Sequence, residues 1–380
     1  MSFLKQHHRA GLTIVELLVV LGVLAVLLGI AATAVKTGTR GKKQREAARQ
    51  VNAFIAGAQA RALEINRPVG VEIVRDVRDT DGTPGLSAAD SGISNTSLVM
   101  YVIETPPTYA GDDSSATATL TAVTGSNVTF TATFSSATAS MIGVEGFVRP
   151  GDLIRFGYRG DKYRIIGVDT TTRVLTVSWE QGQSPPTHAA GSYPFQIYPQ
   201  PIRSSVTPLQ LPTDMCIDLT CSGFGNSGGQ FATWNSGSHE PIRFTFNPRG
   251  DLDRVWTSAS AWQRASGNIH LLVGKYDFAV NALEALNNDG TNDGITDIAN
   301  TSVDYELFLT DPEFPTNLGD GTAMWVSVNF LTGQVTTTRN KLIPPTYSFL
   351  STQPAKNRDV LATAREYATK VLTVQGEGDQ

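Results

Sequence analysis

The stretch GLTIVELLVVLGVLAVLLGIAATAV, residues 11–35, decides how the rest of the chain is read. Leu12 to Val35 is 24 residues long, and besides glycine only Thr13, Glu16 and Thr33 are not apolar. At about 1.5 Å of rise per residue a helix of this length reaches about 36 Å, enough to span a bilayer. A secretory signal peptide has a shorter apolar core, about 7–15 residues, with a small-residue cleavage site behind it. This run is longer and no such site follows. A short basic leader with Lys5 and Arg9 precedes it. Glu16 is the anomaly: an ionised carboxylate deep in a bilayer costs at least a few kcal/mol. Either it is tolerated close to the interface of a plain anchor, or it has a partner charge.

Leader, Gly11, an apolar residue, Thr13, two apolar residues, Glu16 and a long apolar run together resemble the N-terminus of type IV pilins and type II secretion pseudopilins. The resemblance implies that prepilin peptidase cuts between Gly11 and Leu12 and methylates the new amine of Leu12. The family most often has Phe at that first mature position; Leu12 is another apolar residue. Cleavage then supplies the partner: Glu16 of one subunit pairs with the Leu12 amine of its neighbour, which offsets part of the cost of burying either charge alone and sets the stagger between subunits. The implied partners are prepilin peptidase, other pilin or pseudopilin subunits and the inner membrane. Charge counting opposes the implied orientation, because Lys36, Arg40, Lys42, Lys43, Arg45 and Arg49 follow the run and only Lys5 and Arg9 precede it. Long domains translocate largely regardless of charge, so the bulk of the chain is expected in the periplasm.

Beyond the run, residues 44–66 continue as an amphipathic helix with Val51, Phe54, Ile55, Ala58, Ala62 and Ile65 on one face. Gly38 and Gly41 mark a soft joint before it, and Pro68 ends it. Strand-like runs follow at 69–76, 97–104, 241–253, 267–274 and 324–338. Their order, with a Phe-x-Pro-x-Gly turn at 246–250 and a closing Thr-Gly hairpin, resembles the H-type minor pseudopilin. Residues 105–200 do not fit that compact domain and read as several strands joined by turns, a small β-barrel or sandwich inserted in a surface loop. A last helix at about 356–373 carries Val360, Leu361, Ala364, Tyr367, Ala368, Val371 and Leu372 on one face and is expected to dock on the globular part.

The expected fold is therefore α+β: a pilin-like lollipop with a long N-terminal helix on an antiparallel sheet. It divides into a leader (1–11), a transmembrane or filament-core helix (12–35), an amphipathic stalk helix (36–67) and a pilin-like β domain (68–104 and 201–340). The inserted β-rich domain (105–200) and a C-terminal extension with a helix (341–380) complete it.

Chemistry-bearing motifs are sparse. Asp289, Thr291, Asp293, Gly294, Asp297 and Asn300 have the spacing of an EF-hand-like calcium loop. Asn stands where the bidentate Glu belongs, so the alternative is a solvated Asn/Asp/Gly loop. Cys216 and Cys221 are close enough in sequence for one small disulfide in an oxidising periplasm. The GNSGG run around Ser227 resembles a protease nucleophile, but Asn226 stands where its aspartate belongs and no histidine has the matching setting. Two Arg-Gly-Asp triplets, 159–161 and 249–251, read as turns. No enzyme activity is expected. With Lys5 and Arg9 removed, 28 basic residues face 35 acidic ones, a net −7, so no nucleic-acid partner is expected either. The function expected is a minor pseudopilin or minor pilin of a type II secretion or type IV pilus-like machine. The alternative is a pilus-tip adhesin that captures a ligand through the insert.

Overall fold

A computed structural model describes residues 14–76, 95–122, 129–179, 191–225, 231, 240–256, 262–280, 309, 315–344 and 355–374; of these, the side chains of 16, 28–40, 122, 355–358 and 370–374 fall outside the description. One helix, α1 (Ile14–Ile65), runs unbroken through Gly38 and Gly41, where the sequence suggests a joint. A glycine costs a helix interior roughly 1 kcal/mol against alanine but, unlike proline, does not forbid helical geometry. The helix stops at Asn66, whose left-handed φ of 51° closes it ahead of Arg67-Pro68.

Nineteen strands are described, in chain order. The first group is β1 (Val69–Val74), β2 (Thr96–Ser97) and β3 (Val99–Glu104). Next come β4 (Ala118–Ala122), β5 (Thr129–Phe134), β6 (Leu153–Phe156), β7 (Tyr163–Asp169), β8 (Val174–Ser178), β9 (Ser192–Tyr193) and β10 (Phe195–Tyr198). The third group is β11 (Ile202–Arg203), β12 (Leu209–Gln210), β13 (Met215–Phe224), β14 (Ile242–Phe246) and β15 (Leu252–Trp256). It ends with β16 (Gln263–Arg264), β17 (Ile269–Lys275), β18 (Met324–Val328) and β19 (Val335–Arg339), before helix α2 (Ala355–Val374). They make three sheets, so the architecture is α+β.

Two sheets wrap the C-terminal half of α1. One runs β11-β3-β1-β14-β15-β16, with β12 also on β3; the other runs β19-β18-β17-β13-β2. The helix contributes Ala47, Ala48, Val51, Ile55, Ala58 and Ala62, all buried, to a core with Val71, Phe244, Phe246, Leu271 and Val326. Small residues on the helix let it lie close to the sheets, while the large ones come from the strands. Gly70, in the middle of β1, is needed because a Cβ there would collide with the Phe244 carbonyl of the paired strand. The amide of Gln59 ties two hairpin turns to α1, donating to the carbonyl of Gly250 at 2.8 Å and that of Thr332 at 3.1 Å.

The third sheet, β10-β6-β7-β8-β5-β4-β9, is built from residues 118–198 and has its own core. Its two end strands, β9 and β10, are consecutive in the chain and separated only by Pro194. The segment 192–198 therefore pairs with β4 through its first half and with β6 through its second, which closes the sheet into a barrel. Phe130, Phe134, Phe156, Tyr163 and Phe195 fill the interior, several in edge-to-face contact. The barrel leaves the first sheet at the end of β3 and returns in β11, where Ile202 pairs with Glu104. Arg61 of α1 anchors that point, with its Nε 2.6 Å from Glu104.

Helix α2 covers the outer face of the second sheet. Val360, Leu361, Ala364 and Ala368 bury against Leu272, Trp325 and Cys221. Arg365 lies on the same stripe and is fully buried. Its guanidinium donates to the carbonyl of Cys221 at 2.9 Å and of Gly225 at 3.1 Å.

Candidate functional site

The expected processing residues Gly11 and Leu12, and the side chain of Glu16, lie outside the described residues. The described part of the apolar run shows its environment, however. Ile14, Val15, Leu17, Leu18 and their neighbours up to Leu27 are exposed, Ile14 by 84%. Among the described residues, nothing in the chain covers them. Among the described residues no helix is long and apolar enough to cross a membrane; the expected span Leu12–Val35 extends into residues whose side chains are not described. Asp289, Asp293 and Asp297 also lie outside the described residues, as does Ser227.

Cys216 and Cys221 are free, and the expected disulfide is absent. Both stand on β13, whose register against β17 breaks between Asp218 and Gly223. Cys216 precedes the break, with Sγ 3.6 Å from the Lys275 carbonyl, and Cys221 lies within it, packed among Leu272, Trp325 and the α2 stripe. Proximity in sequence does not bring the two thiols together. Burial raises both thiol pKa values well above the ordinary range, which keeps them unreactive. The two Arg-Gly-Asp triplets differ. Arg159-Gly160-Asp161 is exposed on the barrel, whereas Gly250 of the second triplet is buried under Gln59.

Close to α2 is a pair that resembles catalytic machinery: His270 Nδ1 lies 2.9 Å from Ser327 Oγ. Both residues are buried, and the His270 ring meets Trp325 edge-on. Burial, aided by the positive charge of Arg365, lowers the His270 pKa to about 3. An imidazole so reluctant to take a proton is a poor general base near neutrality; the pair acts as a buried hydrogen bond. A stability consequence follows. The unfolded chain takes up a proton at His270 near pH 6.5 and the folded chain only near pH 3, so the unfolded state binds more protons in between. Stability is therefore lost as pH falls through that window, by about 2 kcal/mol at pH 5. Buried Asp218 acts in the opposite direction, because desolvation raises its pKa. Thermal unfolding at pH 7 and pH 5 should show the wild type losing more Tm than His270→Gln; equal losses would refute the assignment.

A cleft of about 450 Å³ opens where the barrel meets the first sheet. On the barrel side Tyr198, Leu153 and Arg164 are successive cross-strand neighbours on β10, β6 and β7. They alternate with buried Ile197, Ile154 and Tyr163, so they point outward from the barrel core. On the opposite side the register of β15 against β14 shifts at Asp253. The shift lets both Leu252 and Val255 reach the core and leaves Arg254 and Trp256 lining the cleft. Arg67 and Lys162 complete the basic lining, against the single carboxylate of Asp253 among the described lining residues. Lys162 Nζ sits 3.7 Å above the Tyr198 ring. Burial lowers its pKa, and the charges of Arg155 and Arg254 add to that. Trp256 and Trp262 stand 5.9 Å apart, tilted by 58°. Trp256 Nε1 donates to Glu240 at 2.9 Å, while the buried Nε1 of Trp262 has no hydrogen-bond partner among the described residues. Pro106, Pro107, Pro199 and Pro201 form stiff walls. The sequence points to the insert as a ligand-capturing surface, but not to this seam. Its lining comes from residues 67 to 262, which no local motif connects.

The model of the prokaryotic N-terminal methylation motif matches residues 6–32. That motif supports a place among type IV pilins and pseudopilins, and it implies processing by prepilin peptidase, a membrane anchor and assembly with other pilin subunits. No curated protein and no solved structure matches the chain.

Proposed function

We propose that the chain is a minor pseudopilin or minor pilin of a type II secretion or type IV pilus-like machine. Prepilin peptidase removes residues 1–11 and methylates Leu12. The Leu12–Val35 helix then holds the chain once in the inner membrane, with the remainder in the periplasm, and later enters the filament core. The observation that carries this reading is the methylation motif over residues 6–32, together with apolar side chains from Ile14 to Leu27 that have no cover among the described residues. Apolar side chains on a helix that its own fold leaves bare need lipid or neighbouring helices. In this reading α1 is the stalk of a lollipop and the two sheets around its second half are the head. A barrel added to the head suits a subunit present in few copies better than one repeated along a filament. Co-expression with an active prepilin peptidase tests the proposal: mass spectrometry should find an N-terminus beginning at methylated Leu12. Recovery of the intact leader would overturn it.

A second reading, a tip subunit that captures a ligand through the insert, is favoured by the basic and aromatic cleft between barrel and head.

A further inference from the structure

The geometry of the cleft points to a short acidic glycan as its ligand, one or two sugar rings carrying a carboxylate. The inference rests on the capture reading just given and names its ligand class and its site. Four basic side chains against one carboxylate gather here in a chain whose net charge is −5. Asp253, 3.7 Å from the Arg254 Nε, offsets one of these charges, and the net positive lining that remains favours an anion. Burial lowers the Lys162 pKa, and the charges of Arg155 and Arg254 add to that against Asp253. Arg164 and Arg254 offer planar forks that match carboxylate oxygens.

The aromatic lining narrows the class. Trp256 and Trp262 present ring surface that suits the flat face of a sugar. The volume of about 450 Å³ is that of a small-molecule site, and the prolines make it pre-formed.

Two other anions fit less well. A peptide added as a strand needs a free sheet edge. Here β15 is paired by β16, and β10 by β6 and the Tyr109 bridge. Leu153 is the only aliphatic side chain in the described lining apart from proline, which leaves a peptide no row of side-chain pockets. A nucleic acid strand uses a basic track that follows its backbone, whereas these charges converge on one cleft.

Tryptophan fluorescence titration of the full-length chain in detergent tests the inference with four probes: digalacturonate, its neutral disaccharide counterpart, hexaglutamate and a thymidine hexanucleotide. Digalacturonate should saturate the signal and bind at least about tenfold more tightly than each of the others. Arg164→Gln, a half-exposed position outside the core, should weaken it by about tenfold, as loss of a charge-assisted contact would. Trp262→Leu, which removes one of the two ring surfaces, should weaken it by a smaller factor. Three results would overturn the inference: no saturation below about 10 mM, equal binding of the neutral disaccharide, or tighter binding of hexaglutamate or the oligonucleotide. Leader removal and methylation at Leu12 are read separately by mass spectrometry, so failure here leaves the subunit reading standing.

Discussion

Glu16→Gln is expected to leave membrane insertion and leader removal unchanged and to reduce incorporation into filaments by roughly a hundredfold. Glu16 places a carboxylate in an otherwise apolar run. In a lone anchor that carboxylate is only a cost. Once the leader is gone, each subunit also carries an amine at Leu12, one turn of helix away in sequence. Two charges buried separately are unfavourable; paired across neighbouring subunits they offset one another, and only one stagger allows the pairing. Removing one member of a buried pair costs about 3–5 kcal/mol. Partial solvation at the helix end takes up some of this, and about 2.8 kcal/mol of remaining loss is a hundredfold in association. Quantifying the variant in sheared filaments against its level in the membrane measures the effect. Wild-type incorporation would remove the pairing from the account.

Arg365→Leu is expected to lower the unfolding temperature of the head by roughly 10 °C and to free α2 for proteolysis. The guanidinium is fully buried and bonded to the carbonyls of Cys221, inside the register break of β13, and of Gly225, just past the end of that strand. Leucine satisfies neither, and a buried polar group left without a partner costs about 1–3 kcal/mol. Two such groups make about 2–6 kcal/mol, and a domain of this size loses about 2–4 °C per kcal/mol. Protease protection of α2 and a melting curve read the two effects together. Arg365→Lys should fall between, because a single ammonium cannot serve both carbonyls as the fork does. A shift under about 2 °C with α2 still protected would show that the apolar stripe alone holds the helix.

How much of the molecule is legible in the sequence depends on how local each signal is. The methylation motif is contiguous, and a dozen residues suffice to read it. The apolar stripes of α1 and α2 follow helical spacing, so that spacing alone identifies Val51, Ile55, Ala58 and Ala62, like Val360, Leu361, Ala364 and Ala368, as buried. Arg365 escapes a search for apolar stripes although its position announces it. It stands four residues after Leu361 and three before Ala368, on the stripe itself, where a charge signals a buried partner rather than a solvated face. The choice between barrel and sandwich is not legible, because closure depends on one short segment, 192–198, pairing at both ends of a sheet. The cysteines mislead for a related reason: the register break in β13 separates what the sequence places side by side. The cleft is the least local feature, assembled from two sheets and a linker, and no window of sequence contains it.

The way the barrel is attached has a mechanical consequence. Its two ends meet on adjacent strands, where Ile202 pairs with Glu104 and Arg61 of α1 holds Glu104. Tension applied along α1 is passed to the sheets through the helix stripe and through Gln59, and none of it has to cross the barrel. The barrel hangs beside the line of load. A subunit pulled by its stalk can thus stretch or shear along the helix while the barrel keeps its shape.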